Sequence, residues 1–115
     1  MKKCVILAAV LFSGILAAQE TKPELEAVGN KVRATYYYEN GKVQQEGFFK
    51  EGKLDGVWVS YDENGNKKAI AEYKDGLKTG KWIFFNDKNI CQVDYSNSKI
   101  NSVKNLEEKV VAHRN

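Results

Sequence analysis

"FFKEGKLDGVW", residues 48–58, and "EYKDGLKTGKW", residues 72–82, are one pattern written twice, 24 residues apart. Phe49, Lys50, Gly52, Gly56 and Trp58 are answered by Tyr73, Lys74, Gly76, Gly80 and Trp82. The interval extends outward. Tyr37, Tyr61 and Phe85 obey it, and Glu39-Asn40-Gly41 matches Glu63-Asn64-Gly65. A third copy is degraded: Phe85–Asn89 stands where Tyr61–Gly65 predicts, and Asp94-Tyr95 answers Glu72-Tyr73 two residues early. Self-similarity at a fixed period marks a repeat architecture whose terminal copies depart from the pattern. Gly41, Gly52, Gly56, Trp58, Gly65, Gly76, Gly80 and Trp82 are therefore read as scaffold and not as a site.

Each repeat is expected to hold two strands and two turns. Asn40-Gly41 and Asn64-Gly65 tolerate the positive φ of a tight hairpin. "KEGKLDG" and "KDGLKTG" read as wider turns. Glycine recurs too often for helix, and aromatic and β-branched residues dominate between. The fold class is all-β, with strands predicted near 31–38, 43–49, 57–61, 67–73, 81–85, 90–95 and 100–103. Alternation places Val32, Ala34, Tyr36 and Tyr38 on one face, and Val43, Gln45, Gly47 and Phe49 in phase with one another on the next strand.

The ends differ. Met1-Lys2-Lys3, the apolar run Val5–Phe12 and the small pair Ala17-Ala18 have the three parts of a secretory signal, cleaved after Ala18. The run is too short for a permanent membrane span of about 20 residues. The expected organisation is a signal over 1–18, a linker over 19–30, repeats near 37–60, 61–84 and 85–103 within a domain of 31–103, and a tail of 104–115. Pro23–Ala27 reads as a single helical turn, and Asn105–His113 as a short C-terminal helix or a frayed tail. Without Lys2 and Lys3 the formal charge falls from +3 to +1, an ordinary mixed surface that points to no nucleic-acid partner. Cys4 leaves with the leader, so Cys91 is expected alone, with no intramolecular disulfide, as a small buried hydrophobe.

The paired glycines, the Trp and the period resemble the MORN-repeat variants of bacterial proteins: an aromatic, "NG", a strand ending in Tyr, "xxG", then "xxxGxW". Tyr37–Gly41 through Phe49, Gly52, Gly56 and Trp58 carry that unit, and Tyr61–Gly65 through Tyr73, Gly76, Gly80 and Trp82 carry it again. The resemblance covers about 31–103 and implies an antiparallel β-meander of stacked hairpins. In the third copy Asn89 replaces the turn glycine and no "GxxxGxW" follows Tyr95, as in a C-terminal cap. The resemblance implies contacts with proteins or lipid surfaces, and an antitoxin-component label for many members.

Candidate chemistry is thin. His113 is the only histidine and has no partners to organise it as a base. One Cys and one His after the leader cannot make a zinc quartet. "DENGN" at 62–66 has Lys67 where a calcium loop needs its sixth-position glycine and Tyr73 where it needs Glu. Asp55, Asp62, Asp75 and Asp87 fall at turns, where Asp is favoured for backbone reasons. A nicotinate-mononucleotide adenylyltransferase, a name relatives of this size sometimes carry, needs a two-histidine signature that is absent here. No enzyme, metal or cofactor is expected. The expected function is protein binding in the cell envelope, with Tyr36, Phe48 and Phe84 as the candidate binding face. The alternatives are an antitoxin-like inhibitor or a peripheral lipid- or glycan-binding module.

Overall fold

The computed structural model describes residues 22–86 and 89–106. The expected signal segment and most of the expected C-terminal helix lie outside them. The described chain is one antiparallel sheet: β1 Glu24–Val28, β2 Lys31–Tyr37, β3 Val43–Lys50, β4 Lys53–Tyr61, β5 Lys67–Lys74, β6 Leu77–Lys78, β7 Gly80–Phe85, β8 Ile90–Ser96 and β9 Lys99–Asn105. Strands pair in chain order, with the short β6 beside β5. The all-β meander stands.

Two expectations at the ends are corrected. Pro23–Ala27 is not a helical turn: Glu24–Val28 pairs with β2 from Glu24↔Thr35 to Val28↔Lys31. Gly29 takes φ 62° at the first position of the two-residue connection, where a type II′ hairpin needs it. Asn105 is the last residue of strand β9, past the boundary expected at 103, and the rest of Asn105–His113 beyond Leu106 lies outside the described residues. The sheet thus runs from 24 to 105, wider than the 31–103 read from the repeats.

The two kinds of turn exchange roles. "KEGK" is the tight one. Lys50 pairs with Lys53, and Glu51 and Gly52 both adopt positive φ, 52° and 80°. Asp75 and Gly76 repeat this at 53° and 84° between Lys74 and Leu77, and Asn97-Ser98 repeats it between Ser96 and Lys99. Two consecutive left-handed residues make the type I′ turn, whose twist matches that of the strands. The Asn-Gly turns are wider. Tyr38 N donates to Lys42 O, Gly41 N donates to Tyr38 O, and Gly41 carries the positive φ of 91°. Asp62–Asn66 forms the same three-residue loop, with Asp62 Oδ1 accepting from the amides of Asn64 and Asn66. In the third copy Asn86 N donates to Asn89 O, one loop residue fewer, and the register shift seen between Ser60 and Tyr61 has no counterpart between β7 and β8. Those two losses account for Tyr95 arriving two residues early.

Gly56 is not part of a turn. It lies inside β4 at φ 82°, where the register with β3 jumps between Glu46↔Val59 and Phe48↔Asp55. A glycine in a strand interior often marks such a bulge. Gly80, φ 71°, does the same in the next repeat, where the interruption separates β6 from β7. The bulge aims the following Trp back across the neighbouring strand. Trp58 Nε1 donates to Phe48 O at 2.9 Å, and Trp82 Nε1 donates to Glu72 O at 3.0 Å. Beneath Trp58 lies Gly47, where any Cβ would overlap the indole.

One face of the sheet is buried. Ala34, Tyr36, Trp58, Ala69, Ala71, Tyr73, Trp82, Phe84, Cys91, Val93 and Tyr95 line it, with Phe49 and Leu54 packed against them. Phe49 meets Trp58 edge-on, centroids 5.2 Å apart, and Tyr73 meets Trp82 in the same way at 5.2 Å. Such tilted contacts suit the ring quadrupole. Cys91 is buried as expected, but it is disulfide-bonded. The bond leads outside the described residues.

Candidate interaction surface

The sheet splits the three residues proposed as a binding face. Tyr36 and Phe84 are 4 % and 5 % exposed and belong to the core, which corrects their proposed role. The reason is strand parity. Tyr36 shares a face with Ala34, with its ring 6.5 Å from Trp58, and Phe84 shares one with Trp82 at 6.0 Å. Phe48 alternates with the buried Gly47 and lies half-buried on the opposite, outer face. Lys31 Nζ lies 6.0 Å from its centroid and 3.0 Å from Asp55 Oδ2. That hydrogen bond, opposed by partial burial, holds the Asp55 carboxyl below its ordinary range.

The outer face carries rings that the composition alone does not single out. Tyr37, Tyr61 and Phe85 follow the inward positions 36, 60 and 84, and so turn outward at the same interval, half-buried. Around them lie Phe48, Val59, Ile70 and Ile83, also half-buried, while Val57 is 53 % exposed. The signal for this row was present in the period: the aromatic type is kept at 37, 61 and 85, whereas 36, 60 and 84 read Tyr, Ser and Phe.

Charge is organised at one end of that face. Tyr37 OH donates to Glu24 Oε1 at 2.5 Å, Tyr61 OH donates to Glu46 Oε2 at 2.9 Å, and Arg33 Nη2 lies 3.7 Å from Glu46 Oε1. The Tyr37 phenol is raised first by its bond to Glu24, and the Tyr61 phenol first by partial burial and then by Glu46. An open hollow of about 540 Å³ lies among Glu24, Glu26, Arg33, Tyr37 and Glu46. A second, about 520 Å³, lies between Asp62, Lys67 and Phe85. Among the described residues no group of three His, Cys, Asp or Glu side chains could hold a metal ion. No helix among them is long and apolar enough to cross a membrane. His113 and Asp87 lie outside the described residues.

The sheet ends on two strands whose every residue is exposed, β1 and β9. By register, Val103 opposite Val93 takes the place that Trp82 holds in the preceding unit, so the third copy ends without an indole. Ser102 Oγ donates to Asp94 Oδ2 at 2.9 Å on the outer side of that last strand. No curated protein matches the chain. Residues 32–51 and 54–75, the β2–β3 and β4–β5 hairpins with their three-residue Asn-Gly loops, match the family described as MORN repeat variant, whose repeats generally serve protein or membrane interaction and not catalysis.

Proposed function

We propose that this protein is a non-catalytic module that is exported to the cell envelope and there binds a protein partner on the outer face of its sheet. The observation that carries the reading is the outer face itself. An antiparallel sheet with one packed face normally turns polar residues to water. Here Val59, Ile70 and Ile83 lie side by side across three strands, half-buried, with Val57, 53 % exposed, two residues from Val59 on one side and Tyr61 and Phe85 on the other. Contiguous apolar surface with aromatic rings and a polar rim is the composition of an interface core. The rigid sheet behind it keeps these side chains ordered before binding, which lowers the entropic cost of association.

Export is supported by Met1-Lys2-Lys3, Val5–Phe12 and Ala17-Ala18. It predicts that protein recovered from cells begins after Ala18; an intact Met1 on the accumulated product overturns the location. Binding is tested by capture from envelope extract with the wild type and with Val57→Asp and Phe48→Ala. Both substitutions are on the outer face and should leave the melting temperature within a few degrees. A specific protein recovered by the wild type and lost with both variants is the expected result. Equal recovery by all three counts against this face.

A further inference from the structure

The two ends of the sheet are complementary to each other. Alternation from the buried Ala34 puts Leu25 and Ala27 of β1 on the core side, and Glu24, Glu26 and Val28 on the outer side. Alternation from the buried Val93 and Tyr95 puts Val103 and Ile100 of β9 on the core side, and Lys99, Ser102 and Lys104 on the outer side. Acids therefore lie at one end and bases at the other, on the same face. Apolar side chains lie at both ends on the opposite face, with Leu25 60 % and Ile100 50 % exposed.

Strand direction is complementary too. Along the path β1-β2-β3-β4-β5-β7-β8-β9 there are eight positions, all antiparallel, so β1 and β9 run in opposite directions. A second copy displaced sideways, without being turned over, therefore brings its β1 antiparallel to β9 of the first and keeps both core faces on one side. Antiparallel pairing of Leu25 with Val103 sets Glu24 opposite Lys104 and Glu26 opposite Ser102. An edge strand is a template for another chain, and opposite charges directly across a sheet are favourable.

From this we infer that the partner at the sheet edges is a second copy of this chain, joined head to tail through β1 and β9. It deepens the protein-binding reading but uses the edges and not the outer face. Because the contact is heterologous, it leaves one β1 and one β9 exposed and so propagates, or closes as a ring.

Sedimentation of the purified chain at several concentrations and two salt levels tests this. The wild type should show a weight-average mass that rises with concentration past the dimer and falls with salt. Glu24→Lys with Glu26→Lys gives two basic ends, and Lys99→Glu with Lys104→Glu gives two acidic ends. Each variant alone should stay monomeric, and an equimolar mixture should assemble again. The mixture also controls for folding, since misfolded variants would not restore one another. A wild type that is monomeric throughout, variants that assemble as the wild type does, or a mixture that stays monomeric overturns the proposal. Monomeric wild type with envelope capture retained overturns only the self-association; assembly retained with capture equal in the Val57 and Phe48 variants overturns only the outer-face reading.

Discussion

Trp58 and Trp82 hold the same place in two consecutive units, but their surroundings differ. Both follow a left-handed glycine by two residues, both donate to a carbonyl ten residues back, and both meet a ring edge-on at 5.2 Å. Around Trp58 the equivalent positions read Gln45, Gly47, Phe49 and Ser60; around Trp82 they read Ala69, Ala71, Tyr73 and Phe84. The first unit buries a Gln and a Ser that face each other across the ladder, whereas the second buries an Ala against a Phe. Trp82 also packs 4.9 Å from Tyr95 of the third copy. The repeated glycines and tryptophans set the backbone path, and the residues between them decide where the packing is apolar. The second unit is the apolar centre of the sheet.

Truncating its centre is the severest way to break that asymmetry. Phe84→Ala should destabilise the protein by about 3–5 kcal/mol, the range for deleting a buried aromatic. Urea unfolding measures it. A loss below about 1 kcal/mol would mean that the core does not centre on the second unit.

Alkaline pH separates the units by chemistry. Burial, then the nearby Tyr95, raises the Tyr73 phenol far above its ordinary value, and burial raises those of Tyr36 and Tyr95. The unfolded chain releases each of these protons near pH 10, while the folded chain still holds them. Stability is therefore fully present below pH 10 and falls above it, by at most about 1.4 kcal/mol per pH unit for each buried tyrosine. Phe49 has no hydroxyl, so Tyr73→Phe makes the second unit like the first and should flatten the loss between pH 10 and 12. Melting temperatures across that range decide it; an unchanged slope would remove Tyr73 as its source.

Exchanging the small residue beneath the indole comes next. Ala71 is tolerated in the second unit, yet a Cβ at Gly47 would overlap the Trp58 ring system. Gly47→Ala should cost about 1–3 kcal/mol as an overpacked site, despite alanine's lower backbone entropy. It should also change the near-ultraviolet signal of Trp58. A neutral or stabilising result would show that the two indoles lie equally far from their neighbouring strands.

Much of this was legible beforehand, and the misreadings have physical causes. The period and the breaker residues predict strands and turns in every repeat, because glycine and aromatic spacing excludes helix, and the meander is what the family resemblance implies. Residue type alone points Tyr36 and Phe84 outward, because they stand outside the strict period, although position 36 shares a face with Ala34 and position 84 lies two residues from Trp82. In a strand, parity decides the face and residue type does not. Spacing alone makes "KEGKLDG" one wide turn, since it does not tell its two glycines apart. Gly52 closes a two-residue turn and Gly56 kinks a strand, a difference set by hydrogen-bonding partners across the sheet. β1 was missed because Glu24–Val28 buries nothing, so no periodic core signal marks it. The outward row Tyr37, Tyr61 and Phe85 needed both the period and the parity.

The gentlest probe acts on the polar pair of the first unit. Ser60 is buried, and its Oγ has no hydrogen-bond partner among the described residues. Its equivalents at 36 and 84 are rings, so the hydroxyl occupies a place the fold otherwise fills with apolar surface. Burying an unpaired hydroxyl costs about 1–3 kcal/mol, and removing it forfeits little packing from so small a side chain. Ser60→Ala should therefore raise stability slightly, by about 0.5–1 kcal/mol, measured as a higher urea midpoint at unchanged slope. Gln45→Ala, directly across the ladder, removes a longer buried side chain and should not share the gain. A Ser60→Ala variant less stable than the wild type would mean that the hydroxyl is bonded in solution, and that the polarity of the first unit supports the fold.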